Sequence, residues 1–376
     1  MNWWIETEEV TPYVILYLFL GMAFLQLFWT FFFHARVAFH RHYQRRNTPP
    51  VSIIIAARNE EDNLFKNLPT ILEQNYPKFE VIVVNHQSSD YSVQLLKAFS
   101  RTHKHLRIVE IEKNKHLKHG KKLPLTVGIK GAQHEHLLFT DADCIPASKN
   151  WLADMAGCFS TKHEIVLGYG PYQKKKGFLN KVIRFDTFFI ALSYFSFAKG
   201  GLPYMGVGRN LGYTKSIFMD NNGFKSHYAI QSGDDDLFIQ EVAKNRNYTV
   251  CLKPDSFCYS QPEKNWADWV KQKSRHYTTT ERYQVIKKIM LGIYPLSLIL
   301  LYISFLTLFF YNELNFVALI SFGVVVISKW FVQGRALFLL KEKKFVYCLP
   351  LWDLFYTILS PIIYYSTEKS TEVKWK

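Results

Sequence analysis

The feature that most restricts the fold of this chain is an uncharged apolar run near its start, Pro12 to Phe33. An α-helix needs about 20 apolar residues to cross the hydrocarbon core of a bilayer. A secretory signal peptide would have basic residues ahead of such a run, but Glu6, Glu8 and Glu9 precede this one. The sequence therefore predicts a transmembrane anchor within residues 1–35, rather than a signal peptide or a buried core helix.

Two more apolar runs lie near the C-terminus. They extend from Ile289 to Tyr311 and from Leu314 to Val332, so that residues 311–313 form a short turn between them. Both are long enough to span a bilayer, and together they predict a helical hairpin. Lys329 is the only charged residue of the second run, and we expect its long side chain to extend toward the membrane interface.

The last apolar segment, Val346 to Tyr365, contains Asp353 and two prolines, Pro350 and Pro361. Charges and helix breakers at membrane depth are tolerated where protein or water surrounds them. The segment is therefore predicted to span the membrane, to re-enter it or to lie at its interface. In this interpretation residues 289–376 form a C-terminal region of transmembrane or interfacial helices.

Basic residues flank the apolar runs and predict their orientation. They are Arg36, Arg41, Arg45, Arg46, Arg282, Lys287, Lys288, Arg335, Lys341, Lys343 and Lys344. Because basic flanks stay in the cytosol, we expect residues 36–288 to form a cytosolic domain and the N-terminus to lie outside. The chain is thus predicted to be an integral membrane protein, in the plasma (inner) membrane if its source is bacterial.

Composition excludes several other classes of protein. The net charge of +15 is concentrated beside the apolar runs, so anionic lipid headgroups explain it better than nucleic acid does. No recognised nucleic-acid-binding motif is present. The five cysteines are odd in number and form no Cys-x-x-Cys pair, which argues against a disulfide framework or a zinc ribbon.

The region between the apolar runs alternates strand and helix patterns. Short β-branched or apolar runs at 51–55, 81–84, 106–111 and 136–140 predict buried parallel strands, with helices predicted at 59–74, 90–100 and 125–133. This order predicts an α/β fold with a mostly parallel sheet, in which ligands bind at the carboxyl ends of the strands. Neither a dinucleotide-binding glycine motif nor a P-loop is found, so a dinucleotide enzyme and a P-loop NTPase are disfavoured.

Two acidic clusters are candidates for chemistry. Asp141 and Asp143 follow the fourth strand, and their convergence on an extended backbone would suit Mg²⁺ or Mn²⁺, unless they form only a solvated turn. Asp234, Asp235 and Asp236 precede a helix pattern; one carboxylate could cap the helix and another could act as a general base.

Two further segments permit more than one interpretation. Lys121, with Lys122 ahead of the third helix, could meet phosphate oxygens or simply be solvated. The aromatic segment 178–197 predicts either a core helix or a helix lying against the membrane surface.

Six motifs occur in an order that resembles the membrane-bound family 2 glycosyltransferases, which have a GT-A fold. They are VSIIIAARNEEDNL (51–64), VIVVNHQSSD (81–90), HLLFTDADCIP (136–146), MGVGRNLGYTKSIF (205–218), SGDDDLFIQEVAK (232–244) and QKSRHY (272–277). The ceramide glucosyltransferase-like branch and the cellulose- and hyaluronan-synthase-like branch are the nearest. The resemblance covers residues 50–280 and indicates the family rather than the substrate.

The resemblance implies roles for individual residues. Asp141 and Asp143 would hold the metal, with Asp234 as the general base and Asp235 as the fallback. The donor nucleotide-sugar would contact Ala57, Arg58, Glu60, His86, Lys121, Asp141, Gln272, Arg275 and His276. The acceptor would be bordered by Gly206, Gly208, Arg209 and Asn210.

Two positions depart from the family pattern. His86 stands where the family usually has an aspartate that bonds uracil, so the preference for uridine over guanosine or another base is open. His276 replaces the tryptophan of the last motif, which weakens the inference to a chain-elongating synthase.

We expect inverting transfer of a sugar to a lipid hydroxyl at the cytosolic membrane face. A processive polysaccharide synthase is the alternative. It is less favoured because a bundle of three or four spans is too narrow to form a polymer channel unless the protein oligomerises. A non-catalytic membrane scaffold is a further alternative, motivated by the two histidines.

Overall fold

The computed structural model describes residues 3–42, 47–112, 120–230, 232–310 and 315–366. Contacts divide the chain into a helical unit, within residues 1–40 and 284–366, and an α/β unit, within residues 41–283. Arg45, Arg46 and the predicted turn at 311–313 lie outside the described residues.

The N-terminal part of the helical unit is one long helical segment. It comprises α1 (Trp3–Phe28), a π-helical segment (Trp29–His34) and α2 (Ala35–Ala38). The predicted apolar run, Pro12 to Phe33, therefore lies entirely within helix, since it contains no charged residue that would favour an exposed loop.

The α/β unit alternates strands and helices, as the sequence predicts. Its strands are β1 (Val51–Ala57), β2 (Phe79–His86), β3 (Leu106–Ile111), β4 (His136–Phe139), β5 (Cys144–Pro146), β6 (Ile165–Gly168), β7 (Leu211–Thr214), β8 (Tyr248–Cys251) and β9 (Cys258–Ser260). Its helices are α3 (Glu61–Leu72), α4 (Ser92–Thr102), α5 (Lys122–Gly131), α6 (Trp151–Ala156), α7 (Phe178–Lys199), α8 (Lys215–Asp220), α9 (Asp236–Val242) and α10 (Trp266–Thr280).

Seven strands form a mostly parallel sheet in the order β3-β2-β1-β4-β7-β6-β8. The strands β1 to β4 pair in parallel, and β7 runs antiparallel to its neighbours β4 and β6. Strand β1 is central among the parallel strands and buried along its whole length, which explains its β-branched composition. The predicted sheet class is confirmed, and the carboxyl ends of β1, β2 and β4 meet at one edge.

Helix α5 packs closely on the sheet because of one glycine. A Cβ atom on Gly128 would lie 2.7 Å from Ile54 Cγ2 and 3.1 Å from Val84 Cγ2. A larger residue would push α5 away from β1 and β2, so this contact sets the position of the loop that precedes α5.

Helix α7 is a core helix. Of its 22 residues, 15 are buried, including most of its aromatic side chains. The structure therefore favours the core interpretation of this segment over a helix that lies along the membrane surface. Phe178, at its first turn, is an exception and is 56% exposed.

The C-terminal part of the helical unit contains α11 (Val285–Phe309), α12 (Asn315–Leu339), a 3-10 helix (Lys343–Cys348) and α13 (Leu349–Ser366). Four segments are long and apolar enough to cross a membrane: Thr11–Ala38, Val285–Phe309, Phe316–Leu339 and Lys343–Ser366. The last one forms a continuous helical segment despite its prolines.

Lys329 does not extend to an interface, so that expectation is wrong. The side chain is 7% exposed, and its ammonium lies 2.6 Å from Asp353 Oδ2 and 2.9 Å from Gln26 Oε1. Because α12 continues to Leu339, about 15 Å further along the helix axis, Lys329 lies well inside the helical unit.

Candidate active site

Two carboxylates converge after β4, as the sequence predicts. Asp141 and Asp143 each offer an oxygen within 4.8 Å of the other and of the Cys144 sulfur. The cause of the convergence differs from the expected extended backbone. Strand β4 ends at Phe139, and the carboxylates lie in a tight turn in which the Cys144 N–H donates to the Asp141 carbonyl at 3.1 Å.

These oxygens suit a hard divalent cation. Carboxylates are preferred ligands of Mg²⁺ and Mn²⁺, and phosphates of a substrate commonly complete the coordination shell. Cys144 is not a ligand of this kind, because burial raises the pKa of its thiol and the sulfur contacts the Ser260 hydroxyl at 3.1 Å. Asp141 and Asp143 are thus the residues of this turn that could hold the ion.

Lys121, immediately before α5, forms an ion pair with Asp141. Burial acts to lower the pKa of Lys121, but the carboxylates of Asp141 and Asp234 raise it by more, so the ammonium stays charged. The same ion pair outweighs burial at Asp141 and holds the pKa of that carboxyl below its usual value. A fixed cation here could bind phosphate oxygens.

The neighbouring Lys122 has a different role. It is buried, and its ammonium donates to the carbonyl oxygens of His227 and Ile230 at 2.5 and 2.9 Å. Lys122 therefore holds the chain just ahead of the aspartate cluster, and Lys121 is the lysine of this pair that reaches Asp141.

Asp235 caps helix α9. Its carboxylate accepts the backbone N–H groups of Gly208 and Asp236, each at 2.8 Å. Burial, together with the charges of Asp234 and Asp236, raises the pKa of Asp235 to about 7. The sequence predicted that one of the three carboxylates could cap the helix, and Asp235 is the residue that does so.

Asp236 joins the aspartate cluster to α10. Its carboxylate is buried and accepts hydrogen bonds from the Thr279 hydroxyl at 2.5 Å and the Tyr283 hydroxyl at 2.7 Å. It also accepts the Leu237 N–H at 2.7 Å. Neither hydroxyl was identified from the sequence, because nothing in the local pattern around Thr279 or Tyr283 distinguishes it from other polar positions on a helix.

Asp234 lines a small pocket at the carboxyl edge of the sheet. The other residues that line it are Lys121, Leu125, Phe139, Thr140, Asp141, Gly208, Leu211 and Tyr213. The pocket brings together the predicted base, the predicted metal-binding turn and the lysine beside it. Since Asp235 and Asp236 are engaged elsewhere, Asp234 is the aspartate of the cluster best placed for chemistry in this pocket.

The loops after β1 and β2 are tied to each other. Ala57 ends β1 and is buried, whereas Arg58 and Glu60 are partly exposed in the loop that follows. Between them, Asn59 donates its N–H to the Ser88 hydroxyl at 2.9 Å, and its side-chain oxygen accepts the Ser89 N–H at 2.8 Å. These bonds hold together the two loops predicted to line the nucleotide.

His86, at the end of β2, is fully buried. Its parallel partner on β3 is Ile111. A nucleotide base could therefore reach the ring only after neighbouring side chains move.

Asn210 holds the predicted acceptor loop in place. The loop contains a short 3-10 helix, Gly208–Asn210, and Asn210 is fully buried. Its amide donates to the carbonyl oxygens of Tyr169 and Ser256, both at 2.8 Å, and accepts the Trp151 indole N–H at 3.0 Å. Asn210 therefore positions the loop rather than facing the pocket.

Gly206 and Gly208 differ in their surroundings. Gly208 lines the pocket, whereas Gly206 packs against apolar side chains. A Cβ atom on Gly206 would lie 2.9 Å from Leu211 and 3.3 Å from Ile239, so a larger residue would displace the loop.

Arg209 connects the same loop to α10 through a tyrosine. Its guanidinium lies 4.4 Å from the centre of the Tyr172 ring, and its Nε donates to the Gly170 carbonyl at 2.8 Å. The Tyr172 hydroxyl in turn donates to Gln272 Oε1 at 3.1 Å. Tyr172 was not identified from the sequence, because its position in an irregular segment carries no periodic signal.

Helix α10 carries the three residues of the last motif. Gln272 accepts the Tyr172 hydrogen bond and donates to Glu263 Oε1 at 3.1 Å. The positive charge of Arg275 helps to lower the pKa of Asp141. Arg275 therefore acts electrostatically on a residue that lines the pocket. His276 is exposed.

Comparison with known proteins shows what the α/β unit is similar to. Residues 52–220 match the model of the family described as glycosyl transferase family 2. The poly-beta-1,6-N-acetyl-D-glucosamine synthase of Staphylococcus epidermidis is 28% identical over 131 residues, which are 32% of this chain and 31% of that protein. The poly(ribitol-phosphate) beta-N-acetylglucosaminyltransferase of Staphylococcus aureus is 25% identical over 211 residues, 56% of this chain and 35% of that protein.

The chain spans about a third of the length of these curated relatives. Among solved structures, a mannosyltransferase from Pyrobaculum calidifontis in complex with GDP-Man and Mn²⁺ superimposes with a TM-score of 0.55. It is 17% identical, and the alignment covers 93% of this chain and 99% of that one. At this identity the likeness concerns the fold.

Proposed function

We propose that this chain, which carries a glycosyl transferase family 2 domain with a GT-A fold, transfers a sugar from a nucleotide-sugar donor to a lipid hydroxyl at the cytosolic membrane face. The family match over residues 52–220 supports the resemblance for the four motifs that lie in that part of the chain. The single observation that carries the proposal is the pocket in which Asp234 lies with Asp141 and Lys121.

The proposed reaction is a single direct displacement. Asp234 takes the proton of the acceptor hydroxyl, whose oxygen forms a bond to the anomeric carbon of the donor sugar. The bond between that carbon and the diphosphate oxygen breaks, and the bonding electrons leave with the nucleoside diphosphate. One displacement of this kind inverts the anomeric centre and needs no covalent enzyme intermediate.

Charge develops on the departing diphosphate, and cationic side chains stabilise it there. Lys121 and Arg275 are the residues of this chain suited to that role, because fixed charges act strongly in a site with little water. Asp141 and Asp143 would hold a Mg²⁺ or Mn²⁺ ion, which when bound supplies Lewis-acid stabilisation of the leaving group.

The donor and the acceptor are proposed to contact the loops already described. Ala57, Arg58, Glu60 and His86 would line the nucleoside, and the family's preference for uridine is open at His86. The loop that contains Gly206, Gly208 and Arg209 would border the acceptor. Asn210 would hold this loop in place through its buried hydrogen bonds.

Replacement of the proposed base tests the reaction. We expect Asp234→Asn to lower the transfer rate at least ~100-fold, the scale for loss of a general base, while nucleoside diphosphate binding persists. The measurement is glycolipid formation from radiolabelled nucleotide-sugars, screened over several bases and sugars. The matched control is Asp220→Asn, which neutralises an exposed aspartate on α8. Wild-type turnover in purified Asp234→Asn would refute the base assignment.

Removal of divalent metal tests the proposed ion site. We expect a chelator to abolish transfer, and added Mn²⁺ or Mg²⁺ to restore it in the wild type but poorly in Asp143→Asn. Full activity in the presence of chelator would contradict the proposed role of Asp141 and Asp143.

A processive polysaccharide synthase is a second candidate. It is supported by the relative named as a synthase of poly-beta-1,6-N-acetyl-D-glucosamine. We favour transfer of a single sugar, because a small helical unit offers little room for a polymer channel. Size analysis of the labelled product separates the two: one extractable glycolipid supports our proposal, and a polydisperse polymer supports the synthase.

A further inference from the structure

A group of lysines and exposed aromatic rings lies on the α/β unit outside the candidate active site. We call it the basic-aromatic patch. It consists of Lys174, Lys175, Lys176, Phe178, Lys181, Lys264 and Trp266, all of which are exposed. No part of the proposed reaction uses these residues.

The two segments of the patch are held together by their aromatic rings. Phe178 begins α7 and Trp266 begins α10, and their ring centres are 6.3 Å apart. The rings nevertheless remain 56% and 44% exposed, respectively. Exposed apolar side chains that contact each other beside basic residues form a candidate contact surface for another molecule or for a membrane.

The lysine loop has a defined conformation. The Lys175 N–H donates to the Asn180 side-chain oxygen at 2.8 Å, and the Asn180 amide donates back to the Gln173 carbonyl at 3.0 Å. These bonds fold the loop onto the first turn of α7. Lys181, three residues after Phe178, lies on the same helix face and adds its charge beside the ring.

The charge of the patch is positive. Residues 171–181 contain four lysines and no acidic residue. The acids closest in sequence to Trp266 are engaged within the protein: Glu263 accepts a hydrogen bond from Gln272, and Asp268 accepts one from Asn265 at 2.7 Å. Residues 263–268 add one lysine and two carboxylates, so the patch as a whole carries more positive than negative charge.

We propose that the basic-aromatic patch docks on anionic phospholipid headgroups. Lysines attract an anionic leaflet, and aromatic rings prefer the boundary between headgroups and acyl chains. The chain also carries helices long and apolar enough to cross a bilayer, and a chain anchored in this way would have lipid headgroups within its reach. A lipid surface fits the observations better than a second copy of the chain, since like charges on two such patches would repel.

The test uses the full chain in nanodiscs. Discs are made from phosphatidylcholine carrying brominated acyl chains, which quench tryptophan, with or without phosphatidylglycerol. The chain has nine tryptophans, so the signal of Trp266 is taken as the difference between the wild type and Trp266→Phe. We expect this difference signal to be quenched more strongly in anionic discs than in neutral ones, and the effect to weaken at high salt.

Two charge variants make the test specific. We expect replacement of Lys174, Lys175 and Lys176 by glutamine to remove the dependence on phosphatidylglycerol. Replacement of three exposed lysines elsewhere on the α/β unit, Lys66, Lys78 and Lys104, should leave it unchanged.

Three results would overturn the proposal. They are equal quenching in neutral and anionic discs, equal effects of the two triple variants, and a Trp266 signal that bromine does not quench but that changes with protein density, which would indicate a second copy. The readout is fluorescence and not transfer, so failure of the proposed function would leave this test intact.

Discussion

Three consecutive aspartates, Asp234 to Asp236, have three different environments in this protein. Asp235 accepts two backbone N–H groups, Asp236 accepts two hydroxyls of residues near the end of α10, and Asp234 lines the pocket. A buried carboxylate is stable only when its oxygens are paired, so each hydrogen-bond set assigns a role to one residue. Asp234 is the candidate general base because the carboxylates of Asp235 and Asp236 are occupied by these hydrogen bonds.

The raised pKa of Asp235, about 7, predicts a dependence of stability on pH. Because the folded protein holds the proton of this carboxyl more tightly than the unfolded chain does, its contribution to stability is full at pH below about 4 and is lost as the pH rises through about 7. We expect the melting temperature in detergent to fall more between pH 5 and pH 8 in the wild type than in Asp235→Asn.

The control for this experiment is Asp220→Asn, which should keep the wild-type difference between the two pH values. If Asp235→Asn shows the same fall as the wild type, Asp235 does not hold a proton in the folded state near neutral pH.

At the scale of elements, α10 and the residues just after it contact several separate parts of the candidate site. It carries Gln272 and Arg275, and a buried ion pair between Lys273 and Asp186, 2.8 Å long, fixes it to α7. At its far end, Asp236 accepts the hydroxyls of Thr279 and Tyr283. Movement of α10 would therefore shift the aspartate cluster and the diphosphate-binding candidates together.

We expect Tyr283→Phe to slow transfer several-fold with little change in nucleoside diphosphate binding. The substitution removes one hydrogen bond to a buried carboxylate, on the order of 1 kcal/mol, while Thr279 still donates to Asp236. Turnover and binding affinity are measured separately, because a positioning residue should change the first more than the second.

Tyr228→Phe, at an exposed tyrosine of the same unit, is the matched control and should behave as the wild type. Unchanged turnover in Tyr283→Phe would mean that the bond to Asp236 does not position the aspartate cluster.

At the scale of the whole molecule, the two units have interiors of different chemistry. The α/β unit has an apolar core centred on β1 and β2. The helical unit instead contains a buried polar network in which Tyr294 and Lys329 both contact Asp353, and Gln26 accepts from Lys329. Charges at membrane depth are costly, so each of these groups is stable only with its partner.

We expect Lys329→Met and Asp353→Leu each to destabilise the chain, by roughly 3 kcal/mol, because each leaves a buried charge without its partner. The double variant should lose less than the sum of the two single variants, since it leaves neither charge behind. Denaturation of the full chain in detergent measures all three.

Lys344→Met removes an exposed lysine near the start of α13 and should have little effect. Additive losses in the double variant would show that Lys329 and Asp353 do not stabilise each other.

Much of the architecture follows from local sequence. The apolar runs locate the long helices, which extend beyond them, and the β-branched runs place β1 to β4, because side-chain periodicity and hydrophobicity act over neighbouring residues. The pair Asp141 and Asp143 was likewise located from its position after an apolar strand, whereas the turn that brings the two carboxylates together was not predicted.

What local sequence does not contain is which distant residues meet. The burial of His86, the use of Asn210 as a core hydrogen-bonding residue, and the pairing of Lys329 with Asp353 depend on elements far apart in the chain. A polar side chain has the same local pattern whether it faces solvent or a buried partner, because the free energy of burying it depends on the group that it meets. The tertiary packing therefore sets the roles of these residues.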